Sequence, residues 1–137
     1  MYHFREVIES IPRSEFNGQS SMGATQFPGG CCDDSSHLLA EYVFQELNLI
    51  LDLVHGEFGG LNNEIRSHAW LSCDDVIIDI TYDQFDWRGY HFPSVYLGFA
   101  GDFHSTFTIK TKPDARYTQL SDQGGLGGAY AVVSARL

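Results

Sequence analysis

Three side-chain types that together can attack an amide carbonyl occur in order along this sequence: Cys32, His68 and Asp79. Cys32 lies in "FPGGCCDDSSHLLAEYV" (27–43), where a Gly-Gly turn meets a run whose apolar residues recur at helical spacing. A cysteine opening a helix sits among backbone N–H groups without intrahelical acceptors, at the positive end of the dipole. With an imidazole beside it, such a thiol has a pKa of roughly 3.5–7.5 and is a nucleophile near neutral pH. His68 lies in "SHAWL" (67–71) and Asp79 in "IDITYDQF" (78–85), two β-rich segments separated by the polar break Cys73, Asp74 and Asp75. A carboxylate holding an imidazole fixes its tautomer, so that the ring can take the thiol proton and later return it to a leaving amine. Taken singly, His68 would be a packed core histidine, Asp79 an edge-strand carboxylate, and the Cys31-Cys32 pair small residues closing a turn. The conjunction is what points to catalysis.

The elements that must position these residues follow from periodicity. Residues 1–9 form a short helix, and 12–30, rich in Pro, Gly, Ser and Asn, form a loop leading to the cysteine. Leu39, Tyr42, Val43 and Leu47, with Leu38 beside them, mark one face of a helix from Cys32 to about Leu47; Asp33 and Asp34 occupy its first turn and Asn48 stops it. "LILDLVHGEF" (49–58) alternates as a half-buried strand up to Gly59-Gly60. "EIRSHAWLSCDDVIIDITYDQF" (64–85) reads as a β-hairpin. A two-residue loop at Cys73-Asp74 pairs Ser72 with Asp75, Trp70 with Ile77 and His68 with Asp79, whereas a one-residue slip would part His68 from Asp79. Residues 103–111 and 129–135 read as further strands, joined by a flexible loop containing "GGLGG". The expected architecture is a single α+β domain spanning 1–137, one central helix on an antiparallel sheet of four or five strands.

A Gln-containing loop, a Cys opening a helix, "HAW" on one strand and Asp on the next, carried by residues 27–85, resemble the papain-like and transglutaminase-like cysteine-hydrolase superfamily, most closely its small bacterial transglutaminase-like members. The resemblance implies a Cys-His-Asp triad of Cys32, His68 and Asp79, and favours Cys32 over Cys31 as nucleophile. It implies an oxyanion hole from the Cys32 backbone N–H and a side-chain amide. Gln26, six residues before Cys32, has the papain-like spacing, with Gln19 and Gln84 as the other candidates. Asp33 departs from the pattern, since a small neutral residue is commoner there and a neighbouring carboxylate disfavours a thiolate. The implied activity is hydrolysis or acyl transfer on an amide of a protein or peptide, without a cofactor; peptidase, protein-glutamine deamidase and transglutaminase share the first half-reaction. A non-catalytic binding module on the same scaffold is the alternative from another class.

Composition narrows the partners. Eighteen acidic residues against eight basic ones, with no Lys/Arg cluster, exclude a broad nucleic-acid surface. Three cysteines without framework spacing argue against a disulfide scaffold and for a reducing, cytoplasmic setting, compatible also with export that needs no cleavable signal. No apolar run has membrane-spanning length. Metal is not expected: Cys31, Cys32, His37, His55 and His68 lack knuckle spacing, His37 points away from the face carrying Cys32, and His91 and His104 have no matching partners. Oligomeric state is not encoded in any of these features.

Overall fold

The computed structural model describes residues 1–16, 20–121 and 123–137. Its helices are α1 (Tyr2–Ser10), α2 (Ser21–Ala24), α3 (Cys32–Leu47) and α4 (Leu126–Ser134), and its strands are β1 (Asp52–Gly59), β2 (Ile65–Cys73), β3 (Val76–Asp79), β4 (Tyr96–Phe99) and β5 (Thr108–Lys112). All strand pairs are antiparallel, in the spatial order β4-β3-β2-β1-β5. The chain is therefore α+β, a helix packed on a five-stranded antiparallel sheet. Among the described residues no helix is long and apolar enough to cross a membrane.

Strand alternation divides the interior into two cores. Leu53 of β1, Ala69 and Leu71 of β2 and Ile78 of β3 face one side, where Leu38 and Leu39 of α3 cover them. Val54, Trp70 and Ile77 face the other, under Tyr82, Phe85, Phe103 and Phe107. Helix α3 spans the predicted residues and stops at Asn48, whose left-handed backbone (φ 53°) lets its N–H reach Phe44 O. Gly56 and Gly59 permit the close packing of Phe107 on β1, because an added Cβ would lie 2.7 and 2.4 Å from its nearest atoms.

The structure corrects four expectations. The hairpin turn is Asp74-Asp75, not Cys73-Asp74, with Cys73 opposite Val76 and Ser72 opposite Ile77. This moves the register by two residues, placing Trp70 rather than His68 across from Asp79, yet it keeps the side-chain faces because the strand period is two. The first strand begins at Asp52, leaving Leu49 and Ile50 exposed. The region 103–111 divides into a 3₁₀ turn (His104–Thr106) and β5, and β4 is a strand in a stretch to which no element had been assigned. Residues 129–135 are helical, not extended, and "GGLGG" leads into α4 instead of joining strands. Leu126, Ala129 and Val133 form one buried helical stripe, and helical spacing prevails over the β-preference of Val132 and Val133. The 12–30 loop also holds two short helical pieces, Arg13–Glu15 and α2.

The observed turn yields a test of register. Asp74 has φ 53°, a backbone conformation that β-branched residues strongly disfavour. Asp74→Val is expected to lower stability by about 1–2 kcal/mol, against less than about 0.5 kcal/mol for Asp75→Val, measured as urea midpoints. Equal costs at the two positions would contradict the turn.

Candidate active site

Strand β3 ends at Asp79, so the start of β2, from Ile65 to His68, has no β3 neighbour on that side. The 3₁₀ turn Tyr82–Arg88 follows this end and carries Gln84 and Phe85. Helix α3 starts with Cys32, which lies near enough to His68 to contribute to the raised pKa of the imidazole. The thiol is partly accessible, whereas Cys31 is wholly buried, its Sγ 3.2 Å from Thr25 Oγ1 and 3.6 Å from Ser21 O. Burial pushes the Cys31 thiol pKa up, with the hydrogen bonds from Thr25 and Ser21 opposing. Cys73 closes β2 beside the hairpin turn, and all three thiols are free.

His68 Nε2 donates to Asp79 Oδ2 at 2.6 Å, so in the neutral ring Nδ1 is the acceptor. Gln84 Nε2 lies 3.1 Å from that Nδ1, held also by Thr81 O at 3.1 Å and Thr81 Oγ1 at 2.9 Å. Phe85 meets the ring edge-on at 4.9 Å between centroids, and Trp70, Phe103 and Phe107 enclose it further. Burial opposes a charge on His68, but the Asp79 carboxylate, aided by the nearby Cys32, outweighs it and pushes the imidazole pKa up to about 10. For Asp79, burial favours the neutral acid, yet His68 and His104 overcome this and hold the carboxyl well below its ordinary range.

His104 had been expected to have no partner. It is buried, and its Nε2 donates to the same Asp79 Oδ2 at 2.8 Å, while Asp79 Oδ1 accepts from Thr81 N at 3.0 Å. His104 comes 25 residues later, in a short turn without periodic signal, and only the buried carboxylate's need for several donors could have suggested it. Among the described residues its Nδ1 has no hydrogen-bond partner, and with the Nε2 proton given to Asp79 that nitrogen is a buried acceptor in the neutral ring. His68, Asp79 and His104 place ligand-type atoms within 4.8 Å of one another. Each Nε2 stands at hydrogen-bond distance from one carboxylate oxygen, so the lone pairs a metal would need carry protons. The trio fits a hydrogen-bonded carboxylate better than a metal centre.

The remaining expected residues have other settings. Gln26 is exposed and lines a separate cleft with Ile8, Glu9 and Phe27. Gln19 lies outside the described residues, and Gln84 is the glutamine beside His68. The Asp33 carboxylate is engaged by His55 Nε2 at 3.0 Å. His37 is turned to Ala115 O, 2.6 Å from its Nδ1, and His91 is exposed. An open cleft of about 260 Å³ adjoins the site, lined by Gly29, Gly30, Arg66, Ser67, Gln84 and Arg88 together with Ile65 and Phe85. Larger hollows of about 430 and 580 Å³ lie elsewhere on the aromatic side, lined among others by Tyr90 and Phe92 and by Phe99 and Ile109. Comparison with protein-family models, curated proteins and solved structures finds no match.

Because the folded state lowers the Asp79 pKa, its ionised form adds stability that is present above the ordinary carboxylate range and is lost as pH falls through that range and below. Urea midpoints should therefore drop between pH 5 and pH 3 more steeply for the parent than for Asp79→Asn. Parallel curves would show that this carboxylate is not held as described.

Proposed function

We propose that this chain is a thiol-dependent acyl transferase or hydrolase acting on an amide of a protein or peptide, of the papain-like or transglutaminase-like kind. The supporting observation is one buried imidazole that gives Nε2–H to Asp79 and lies within electrostatic reach of Cys32 at a helix N-terminus. Cys32 is partly accessible, and an open cleft is lined by Gln84 and Phe85, both of which touch the His68 ring.

In this reading Asp79 fixes the tautomer and stabilises the imidazolium, and His68 takes the proton of Cys32 on Nδ1 as the Gln84 amide turns away from that nitrogen to its Thr81 partners. The Sγ attacks the carbonyl carbon, a C–S bond forms, and the carbonyl electron pair moves to oxygen. Backbone N–H groups of the first α3 turn are the donors offered to that oxyanion, and Gln84, whose amide bonds His68 and Thr81, positions the imidazole instead. On collapse the C–N bond breaks and His68 returns its proton to the leaving amine, leaving a thioester that water or an amine resolves. Water as acceptor gives a peptidase, or a deamidase if the amide is a glutamine side chain. An amine acceptor gives a transglutaminase. The aromatic shell around His68 and Asp79 keeps the local dielectric low, which strengthens the charge interactions used in each step.

Intact-mass analysis of candidate protein substrates reads the outcome directly: about one dalton gained on deamidation, joined masses on cross-linking, divided masses on proteolysis. Cys32→Ala is expected to abolish turnover while Cys31→Ala and Cys73→Ser keep most of it; a dead Cys31→Ala with a live Cys32→Ala would move the nucleophile by one residue. Asp79→Asn should stay folded and turn over at roughly one part in 10² to 10⁴, because the imidazole then favours the wrong tautomer. Protonation of the leaving amine needs the imidazolium, and the His68 pKa is raised to about 10. The profile of kcat/KM should accordingly hold through neutral pH and fall as pH rises through that value. An alkaline limb centred near pH 7 would contradict the ion pair.

A further inference from the structure

We infer that the hollow walled by Tyr82, Tyr90, Phe92 and Phe103 binds a quaternary or alkylated ammonium group, with the Asp102 carboxylate as its counter-ion. This site is separate from the catalytic reading above: it uses another hollow and residues outside the triad.

Four aromatic rings line this hollow of about 430 Å³, a volume within the range of small-molecule sites. Tyr82 and Phe92 stack at 4.1 Å between centroids, and Tyr90 follows Phe92 at 5.2 Å. Phe103 stands across that row, inclined at 72° to Tyr82, 70° to Tyr90 and 64° to Phe92. Rings set at steep angles offer π-faces in two directions, which suits a rounded head group better than a flat one. The walls come from three chain segments that are tied together at the hollow. Thr106 Oγ1 accepts from Gly60 N at 2.7 Å and donates to Phe103 O at 2.6 Å, and the Tyr90 hydroxyl accepts from Leu61 N at 3.1 Å. Gly60 has φ 91°, and a Cβ there would lie 2.5 Å from Glu64 Oε1 and 2.9 Å from the Tyr90 hydroxyl, so glycine leaves room for that pair. The hollow is therefore preformed.

Charge selects the ligand. Asp102 is exposed at the hollow and has no hydrogen-bond or ion-pair partner among the described residues. A second carboxylate, Glu64, accepts from the Tyr90 hydroxyl, which holds the Glu64 carboxyl below its ordinary range and makes the phenol ring richer in electrons. Arg88 lies near enough to act on both Glu64 and Tyr90, but the side chains that line the hollow include no basic residue. The net charge of −10 raises the local concentration of cations and repels anions. A metal ion would find one carboxylate and no imidazole or thiol among the lining side chains. An alkylated ammonium uses both features of the hollow, its alkyl groups packing on the rings while its charge is drawn to their faces and to Asp102.

The test titrates the full-length protein with choline and with 3,3-dimethylbutan-1-ol, its neutral isostere, and follows the aromatic side-chain resonances by NMR. Choline should shift the resonances of Tyr90 and Phe92 saturably, with a Kd at least about tenfold below that of the alcohol. Asp102→Asn should weaken choline binding about threefold or more and leave the alcohol unaffected, since it removes charge and no ring. Phe92→Leu should weaken choline binding by a similar factor, about threefold, with the remaining spectrum that of a folded protein. A trimethyllysine peptide and its unmodified lysine counterpart are run beside choline to separate the two sources of such a group. Tighter binding of the trimethyllysine peptide than of choline supports a head group carried on a polypeptide, and preference for choline supports a free one. Equal affinity for choline and the alcohol would overturn the inference, because the hollow would then be apolar without charge preference. So would the lack of a saturable shift at Tyr90 and Phe92 with either quaternary ligand, or parent-like choline affinity in both variants.

Discussion

The arrangement depends on one buried negative charge. Asp79 is 1% exposed, and an unpaired carboxylate at such a position would cost several kcal/mol. Four donors surround it: the Nε2–H groups of His68 and His104, the backbone N–H of Thr81 and, more distantly, the Thr81 hydroxyl. Meeting that demand shapes the local chain. β3 stops at Asp79 so that the backbone can turn and present Thr81 N, and the turn His104–Thr106 delivers the second imidazole from the far side. A single carboxylate thereby joins three separate segments of the fold.

Packing then holds those segments in place. Arg5 of α1 reaches across the core to Ile80 O at 2.7 Å, Ser94 O at 3.1 Å and the Asp83 carboxylate, fixing the chain just after Asp79 and the turn that carries Gln84. Asp34 of α3 accepts from both Ser21 N and Ser21 Oγ at 2.7 Å, which ties α2 to the helix that begins with Cys32. Phe107, seated on the bare backbone of Gly56 and Gly59, completes the apolar wall beside His68 and Trp70. Loss of any one of these ties would loosen the spacing between thiol and imidazole, to which a nucleophile-base pair is sensitive.

The two cysteines in sequence acquire opposite environments for a geometric reason. Adjacent side chains at a helix start point in different directions, so one thiol goes into the core against Thr25 and Ser21 while the next stays partly accessible. Gln84 shows the converse: remote from Cys32 in sequence, it reaches the site because the chain doubles back after β3. Gln26, only six residues from Cys32, lines a different cleft.

The sequence by itself determined those features that local periodicity and parity control. Helical spacing and Asn48 defined α3 at both ends, and the two-residue strand period put His68 and Asp79 on one face. That parity survived a turn placed one residue too early, because the register then shifts by two. What only the tertiary structure decided depends on segments far apart in the chain. His104 as second donor to Asp79, Gln84 as the amide beside His68, and Tyr82 with Phe103 along one hollow have no shared local pattern. The helical state of Leu126–Ser134 was decided in part by burial of Leu126, Ala129 and Val133, a tertiary gain that outweighs the weak strand preference of its valines. Local rules fix which way a side chain faces along its own element; which distant groups meet it there depends on satisfying a buried charge and filling a core, and those are properties of the whole chain.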